Sequence, residues 1–213
     1  MRFAILGQEE KCHGDPARRM GNEYLYQMLA KDAVGVLNGY GVTKVVTACP
    51  HCFHQIGNEF PQWGGTYEAV HHSTFIEELM AAGRIPLTPD LHPPVSTFTY
   101  HDSCYLGRLN GMYDAPRQIL EFVPGAKVTE MPRRLSRGLC CGAGGGRMFV
   151  TEPVEQRVSN LRAKQALETG ADVIGVGCPF CMMMMEEAVT GERGERATKV
   201  LDIAELLHGA GGG

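Results

Sequence analysis

Gly177-Cys178-Pro179-Phe180-Cys181-Met182 repeats Ala48-Cys49-Pro50-His51-Cys52-Phe53, and each stretch closes an interval of the same length. Thirty-six residues separate Cys12 from Cys49, and 36 separate Cys141 from Cys178. The material inside the two intervals also matches. After Cys12 and the turn Gly14-Asp15-Pro16-Ala17-Arg18-Arg19, the residues Leu25, Met28, Leu29, Ala33, Val36 and Leu37 recur at helical spacing until Gly39 and Gly41. Lys44-Val45-Val46-Thr47 then reads as a strand. After Cys141 and a glycine cluster, Thr151 is the expected N-cap, with Pro153 in the first turn. Val154, Val158, Leu161 and Leu167 share the expected apolar face up to Gly170, and Asp172-Val173-Ile174-Gly175-Val176 is the strand. Each unit is loop, helix, strand, Cys-Pro-x-Cys, helix. A period of this kind predicts an α/β fold of two pseudo-symmetric modules.

The copies differ at their starts. The second has a leading Cys104 after the strand Thr97-Phe98-Thr99-Tyr100-His101, and 35 residues later comes the adjacent pair Cys140-Cys141. In the first, Lys11 stands where Cys140 would be, and the counterpart of Cys104 would precede Met1. Only the strand expected over Arg2-Phe3-Ala4-Ile5-Leu6 lies ahead of Cys12. The first module is therefore read as truncated at its N-terminus: either the repeat has lost its front half or, the preferred reading, the chain is the downstream part of a longer polypeptide. The expected boundaries are 1–85 for this partial module, 96–208 for the complete one and 209–213 for a flexible glycine tail. Pro86, Pro89, Pro93 and Pro94 form the connector, where neither helix nor central strand can continue.

Composition narrows the function. Hydrophobic residues make up 44% and charged residues 21%, with a net charge of −4, so there is no basic footprint for nucleic acid. No apolar run reaches the roughly 20 residues needed to cross a bilayer, and no signal peptide is seen. A cytoplasmic location follows as the expectation, with any membrane attachment supplied by another segment or subunit. The eight cysteines could form disulfides, but without an export signal and with two Cys-x-x-Cys pairs they read as reduced metal ligands.

Five of them, Cys104, Cys140, Cys141, Cys178 and Cys181, belong to the second module. A closed zinc site needs four ligands, so five thiolates from three loops suit an iron–sulfur cluster better. Adjacent cysteines do not easily meet one ion but can serve different irons. Gly142 and Gly144 to Gly146 let the backbone come close and aim N–H groups at sulfur. The same glycines do not make a dinucleotide site, because Arg147 occupies the third glycine position and no acidic residue follows where one is needed. The first module offers Cys12, Cys49 and Cys52, enough for a cluster with another ligand or for zinc completed by His or water. His13, His51, His54, His71, His72 and His101 surround these sites. His51 reads as a neighbour of its cysteines, and His71-His72 as a satisfied strand end. Arg18, Arg19 and Arg147 could neutralise cluster charge or bind an acidic partner. Met182 to Met185 read as adaptable core packing.

Cys104, then Cys140-Cys141-Gly142, then Cys178-x-x-Cys181 resembles the CCG, or cysteine-rich, domain over nearly the whole chain. That domain is found in the catalytic subunit of heterodisulfide reductase, in the iron–sulfur subunits of glycolate oxidase and anaerobic glycerol-3-phosphate dehydrogenase, and in large bacterial iron–sulfur oxidoreductases. Glu9-Glu10-Lys11-Cys12, Gly14-Asp15-Pro16-Ala17-Arg18-Arg19, Cys49-Pro50-His51-Cys52-Phe53 and Tyr100-His101-Asp102-x-Cys104-Tyr105-Leu106-Gly107-Arg108 resemble the last group most. The resemblance implies a 4Fe–4S cluster in the second module, cubane or of the split kind seen in heterodisulfide reductase. It leaves a second 4Fe–4S cluster or zinc for the first. It further implies an oxidoreductase module relaying electrons between a flavoprotein or ferredoxin-type donor and a quinone, membrane haem subunit or thiol/disulfide acceptor. Direct disulfide cleavage at an unusual cluster and a non-enzymatic metal-binding interaction module are the alternatives.

Overall fold

Helices α1 (Asp15–Arg19) and α2 (Glu23–Gly39) lead into strand β1 (Lys44–Thr47). Helix α3 (Pro50–His54), strand β2 (Glu68–His71) and helix α4 (His72–Ala81) follow. This computed structural model describes residues 2–85, 97–191 and 198–208. The Asn22 side chain caps α2 by accepting the Leu25 amide at 3.0 Å, satisfying one of the donors a helix start leaves free. The buried stripe of α2 is Tyr26, Ala30, Val34 and Leu37, displaced from the expected one, and Leu25 and Met28 face solvent. Trp63 and Arg18 packed on the Tyr26 ring account for this rotation. Residues 2–6 form no strand. Among the described residues β1 pairs only with β2, in parallel, and Phe3 and Ile5 are exposed.

The second module runs β3 (Thr97–Tyr100), α5 (Asp114–Phe122), β4 (Lys127–Val128), α6 (Val158–Leu167), β5 (Val173–Val176), α7 (Pro179–Gly191), β6 (Lys199–Asp202) and α8 (Ile203–His208). Its four strands form one parallel sheet in the order β4-β3-β5-β6. Val173-Ile174-Gly175-Val176 is buried along its whole length, as a parallel strand covered on both faces must be. Ile174 and Val176 meet Ala163, Ala166 and Met185 on one face; Val173 meets Phe98, Ile119, Leu120 and Leu206 on the other. Gly175 leaves room there for Leu120, Leu206 and Tyr100.

Helix α6 differs from expectation. Thr151 does not cap it; it starts at Val158 after Arg157. Val154 and Leu161 are exposed, and the buried face is Ser159, Arg162, Ala163 and Ala166. Of the methionine run, Met185 is core, Met182 and Met184 pack beside it and beside the cysteines, and Met183 is exposed.

The order α2-β1-α3-β2-α4 repeats as α6-β5-α7-β6-α8, so the fold is α/β with two modules. After the first Cys-Pro-x-Cys the helix breaks into short turns over Gln55–Glu59 and Phe60–Trp63, with Pro61 in the last. Ile76 and Met80 of α4 pack onto the core of the second module. The proline-rich connector at Pro86, Pro89, Pro93 and Pro94, and the glycine tail 209–213, lie outside the described residues.

Candidate metal centres

In an open parallel sheet the loops at the carboxyl ends of the strands carry the chemistry. β1 runs into Cys49 and β5 into Cys178, each followed by proline at the helix start, where a missing N–H costs nothing. The two turns close alike, with Phe53 N–H donating to the Cys49 carbonyl and Met182 N–H to that of Cys178, both at 2.9 Å. Because β3 lies beside β5, the loop after β3 delivers Cys104 to the same end of the sheet.

Sulfur contacts then join the five cysteines of the second module into one set. Cys104 interacts with Cys140, Cys140 with Cys141, and Cys178 with Cys181. Cys141 and Cys181 stand 3.4 Å apart. Cys141, Cys178 and Cys181 are buried, and Cys104 and Cys140 are half-buried. Gly142, in the left-handed region at φ 93°, turns its N–H onto Cys140 Sγ at 3.3 Å. The neighbouring Cys104 thiol lowers the Cys140 pKa, while the Cys104 thiol is itself pushed up by Cys140. Cys178 is drawn down to about 6 by Cys181, which is raised in return, chiefly by Cys141. In each pair the lowered member favours the thiolate that a metal takes up, and metal binding displaces the remaining thiol protons to solvent. His101 adds a ring nitrogen within 4.8 Å of the Cys141 and Cys181 sulfurs. Five cysteines linked one to the next exceed what a tetrahedral ion takes and fit an iron–sulfur cluster. The surroundings fit too: the Arg162 Nη2 and the Ser103 hydroxyl, both buried, have no hydrogen-bond partner.

The first module gathers a different set from the one expected. His13, Cys49 and Cys52 bring their ligand atoms within 4.8 Å of one another and are half-buried. Cys12 is exposed and outside this group. Its Sγ accepts the Gly14 N–H at 3.4 Å, the same turn that Gly142 makes on Cys140. Cys12 therefore copies Cys140 in local turn although it matches Cys141 by count, one residue out of step. That shift brings His13 in, with Nδ1 accepting the Asp15 N–H at 3.2 Å. Lys11 reaches outward to Asp32 at 2.6 Å. Cys49 is lowered by its bond with Cys52, and Cys52 is raised by the same contact. A groove of about 730 Å³, lined by His13, Cys52, Val46 and Val36 among others, opens beside this site.

The two sets are not isolated from each other. Buried His51 places Nδ1 3.8 Å from Cys49 Sγ and 3.9 Å from Cys178 Sγ. Its ring stacks at 3.9 Å on Tyr105 and meets the edge of Phe180 at 4.8 Å, so the middle residues of the two Cys-Pro-x-Cys loops touch. The Tyr105 hydroxyl in turn donates to Asp15 at 3.0 Å. The arginines singled out by sequence are engaged elsewhere. Arg18 and Arg19 pair with Glu59, Arg19 also with Asp15 at 2.9 Å, and Arg147 with Glu152. Sequence reasoning misses buried Arg162, since its helix face carries small residues that give no apolar signal.

A family model described as the cysteine-rich domain, CCG, matches residues 1–57 and 98–186, one stretch in each module. The chain belongs to the CCG cysteine-rich domain family. This CCG protein is 42% identical over 212 residues to the "EtfAB:quinone oxidoreductase" of Syntrophomonas wolfei, covering 96% of the chain and 29% of that protein. It is 43% identical over 205 residues to the "Probable iron-sulfur-binding oxidoreductase FadF" of Bacillus subtilis, covering 96% of the chain and 29% of that protein. Against one component of the "Dihydromethanophenazine:CoB--CoM heterodisulfide reductase" of Methanosarcina barkeri it is 34% identical over 213 residues, 97% of the chain and 51% of that protein. The CCG protein thus spans between 29% and 51% of the length of these relatives. Their oxidoreductase names and the cysteine-rich family both support iron–sulfur chemistry. Among the described residues no helix is long and apolar enough to cross a membrane.

Proposed function

We propose that this CCG protein is an iron–sulfur electron-relay module of a larger oxidoreductase. Cys104, Cys140, Cys141, Cys178 and Cys181 hold a 4Fe–4S cluster, and Cys49 and Cys52, with His13 or Cys12, hold a second metal centre. The observation that carries this reading is the unbroken set of five sulfurs at the carboxyl end of the parallel sheet. A bound cluster supplies one-electron redox chemistry. The protein's own residues contribute thiolates, amide donors to sulfur and a buried surround that sets the potential. The module takes electrons from a flavoprotein or ferredoxin-type donor and passes them to a quinone or thiol/disulfide acceptor, on the cytoplasmic side of the membrane where quinone is the acceptor. The names of the relatives support this choice of partners.

Anaerobic loading with ferrous iron and sulfide tests the proposal. The expected result is about four iron and four sulfide at the five cysteines of the second module. A reduced flavoprotein should then bleach the visible absorbance, and a soluble quinone or a disulfide should restore it. Stoichiometric zinc with almost no iron would overturn the reading.

A further inference from the structure

Arg162 is fully buried on α6. Its Nε–H donates to His101 Nδ1 at 3.0 Å, and Nη1 donates to the Arg133 carbonyl at 2.8 Å and to Gln165 Oε1 at 3.2 Å. All three acceptors are neutral, and Nη2 has none. The two carboxylates whose fields reach it, Asp102 and Glu130, are already taken by Arg117, at 2.8 and 3.1 Å for Asp102 and 2.6 and 3.1 Å for Glu130. Arg162 makes no ion pair among the described residues. A guanidinium does not give up its proton under ordinary conditions, and burial draws Arg162 down only to about 10. Asp102 and Glu130 together carry one negative charge more than Arg117 offsets, and this acts on Arg162 at a distance without giving its orphan Nη2 a partner. Through His101, whose ring nitrogen lies within 4.8 Å of the Cys141 and Cys181 sulfurs, Arg162 stands one side chain away from the five-sulfur set.

We propose that Arg162 is a positioning cation of the centre in the second module, holding His101 against the sulfurs and placing a fixed positive charge beside the cluster. This rests on the iron–sulfur reading above. Two consequences follow from the geometry. A fixed positive charge favours the more negative, reduced cluster, so Arg162 raises its reduction potential. Because His101 Nδ1 accepts from Arg162, the neutral imidazole carries its proton on Nε2. His101 is then a neighbour of the sulfurs and leaves ligation to the cysteines.

The test compares wild type, Arg162→Lys and Arg162→Met as whole chains, apo and loaded anaerobically with ferrous iron and sulfide. The midpoint potential is followed by visible absorbance and electron paramagnetic resonance, and the melting temperature is taken before and after loading. Arg162→Met is expected to have a more negative potential and a smaller gain in melting temperature on loading; Arg162→Lys keeps most of both. A folded Arg162→Met protein that takes up no cluster, while Arg162→Lys does, also supports the role, because charge alone separates the two. Equal potentials and equal loading gains in wild type and Arg162→Met would overturn it. So would equal failure of both variants to fold or load, which would make the guanidinium hydrogen bonds, not the charge, the essential feature. A wild type that binds no iron and sulfide refutes the iron–sulfur reading itself, and this inference with it.

Discussion

Cys178 and Cys49 occupy equivalent points of the two loops, yet their neighbours differ. Cys178 is buried and joined through Cys181 and Cys141 to two further thiols. Cys49 is half-buried and grouped with Cys52 and His13, with His51 Nδ1 3.8 Å away. Loss of one thiolate from the larger set removes a ligand from the centre proposed to be redox-active. Cys178→Ser should therefore abolish the main visible absorbance and the paramagnetic signal of the loaded protein. Cys49→Ser should keep most of that signal while losing the second metal. Circular dichroism on both variants shows whether each stays folded. A Cys49→Ser protein without the main signal, beside a Cys178→Ser protein that retains it, would place the redox centre in the other module.

At the scale of elements, two helices show what packing adds to periodicity. Apolar spacing predicts both α2 and α6, and both exist, but each turns a different face inward. On α6 the large aliphatic Leu161 lies in solvent, Ala163 and Ala166 lie against β5 and α7, and Ser159 is buried beside Gly142. Close approach of a helix to a sheet selects small side chains there, which a hydrophobic pattern does not register. Leu161→Ala should accordingly change stability by less than about 0.5 kcal/mol, as surface substitutions do. Ala166→Leu, forced into a filled interior, should cost about 1–3 kcal/mol. Urea unfolding midpoints measure both, and a larger loss for Leu161→Ala would mean that the face is wrongly assigned. The same reasoning marks the limit of what is legible. Cysteine spacing is a property of the sequence, so the two modules and their strand-loop-helix order can be read directly. Which module faces which is not, so His51 between Cys49 and Cys178 cannot be foreseen beyond its being near its own pair. Nor can the one-residue offset that draws in His13 and leaves Cys12 outside. Arg162 is hidden for a different reason: charged residues are seldom fully buried, and its surroundings exist only once α6 is packed.

For the whole molecule, the line from Asp202 through His72 and His71 to Ser73 ties the modules together. His71 ends β2 and Asp202 ends β6, equivalent positions in the two repeats. His72 Nε2 lies 2.9 Å from Asp202 Oδ1, His72 Nδ1 3.2 Å from His71 Nε2, and His71 Nδ1 2.8 Å from the Ser73 hydroxyl. One set of neutral tautomers satisfies all of these. His72 donates from Nε2 to Asp202 and accepts at Nδ1 from His71, and His71 Nδ1 accepts from the Ser73 hydroxyl and the Ser73 N–H, the latter at 3.3 Å. A proton added to His71 would have to sit on Nδ1, where it faces that N–H and breaks the cap of α4. Burial first, then the neighbouring His72, lowers the His71 pKa to about 3 from an ordinary 6.5. A depressed folded value means that the unfolded chain takes the proton first. The stability His71 contributes is therefore complete above about pH 6.5 and is lost as pH falls toward 3. Each such proton steepens the fall in unfolding free energy by about 1.4 kcal/mol per pH unit. Between about pH 6 and pH 4, urea unfolding of the apo protein should show a slope smaller by about one proton in His71→Gln than in wild type. The two should run parallel above pH 7, where neither form of His71 titrates. Glutamine is the chosen replacement because its amide can still donate toward His72 while carrying no titratable group. Identical slopes in the acid range would show that His71 is protonated as easily folded as unfolded, and that the line from Asp202 to Ser73 does not depend on its neutrality.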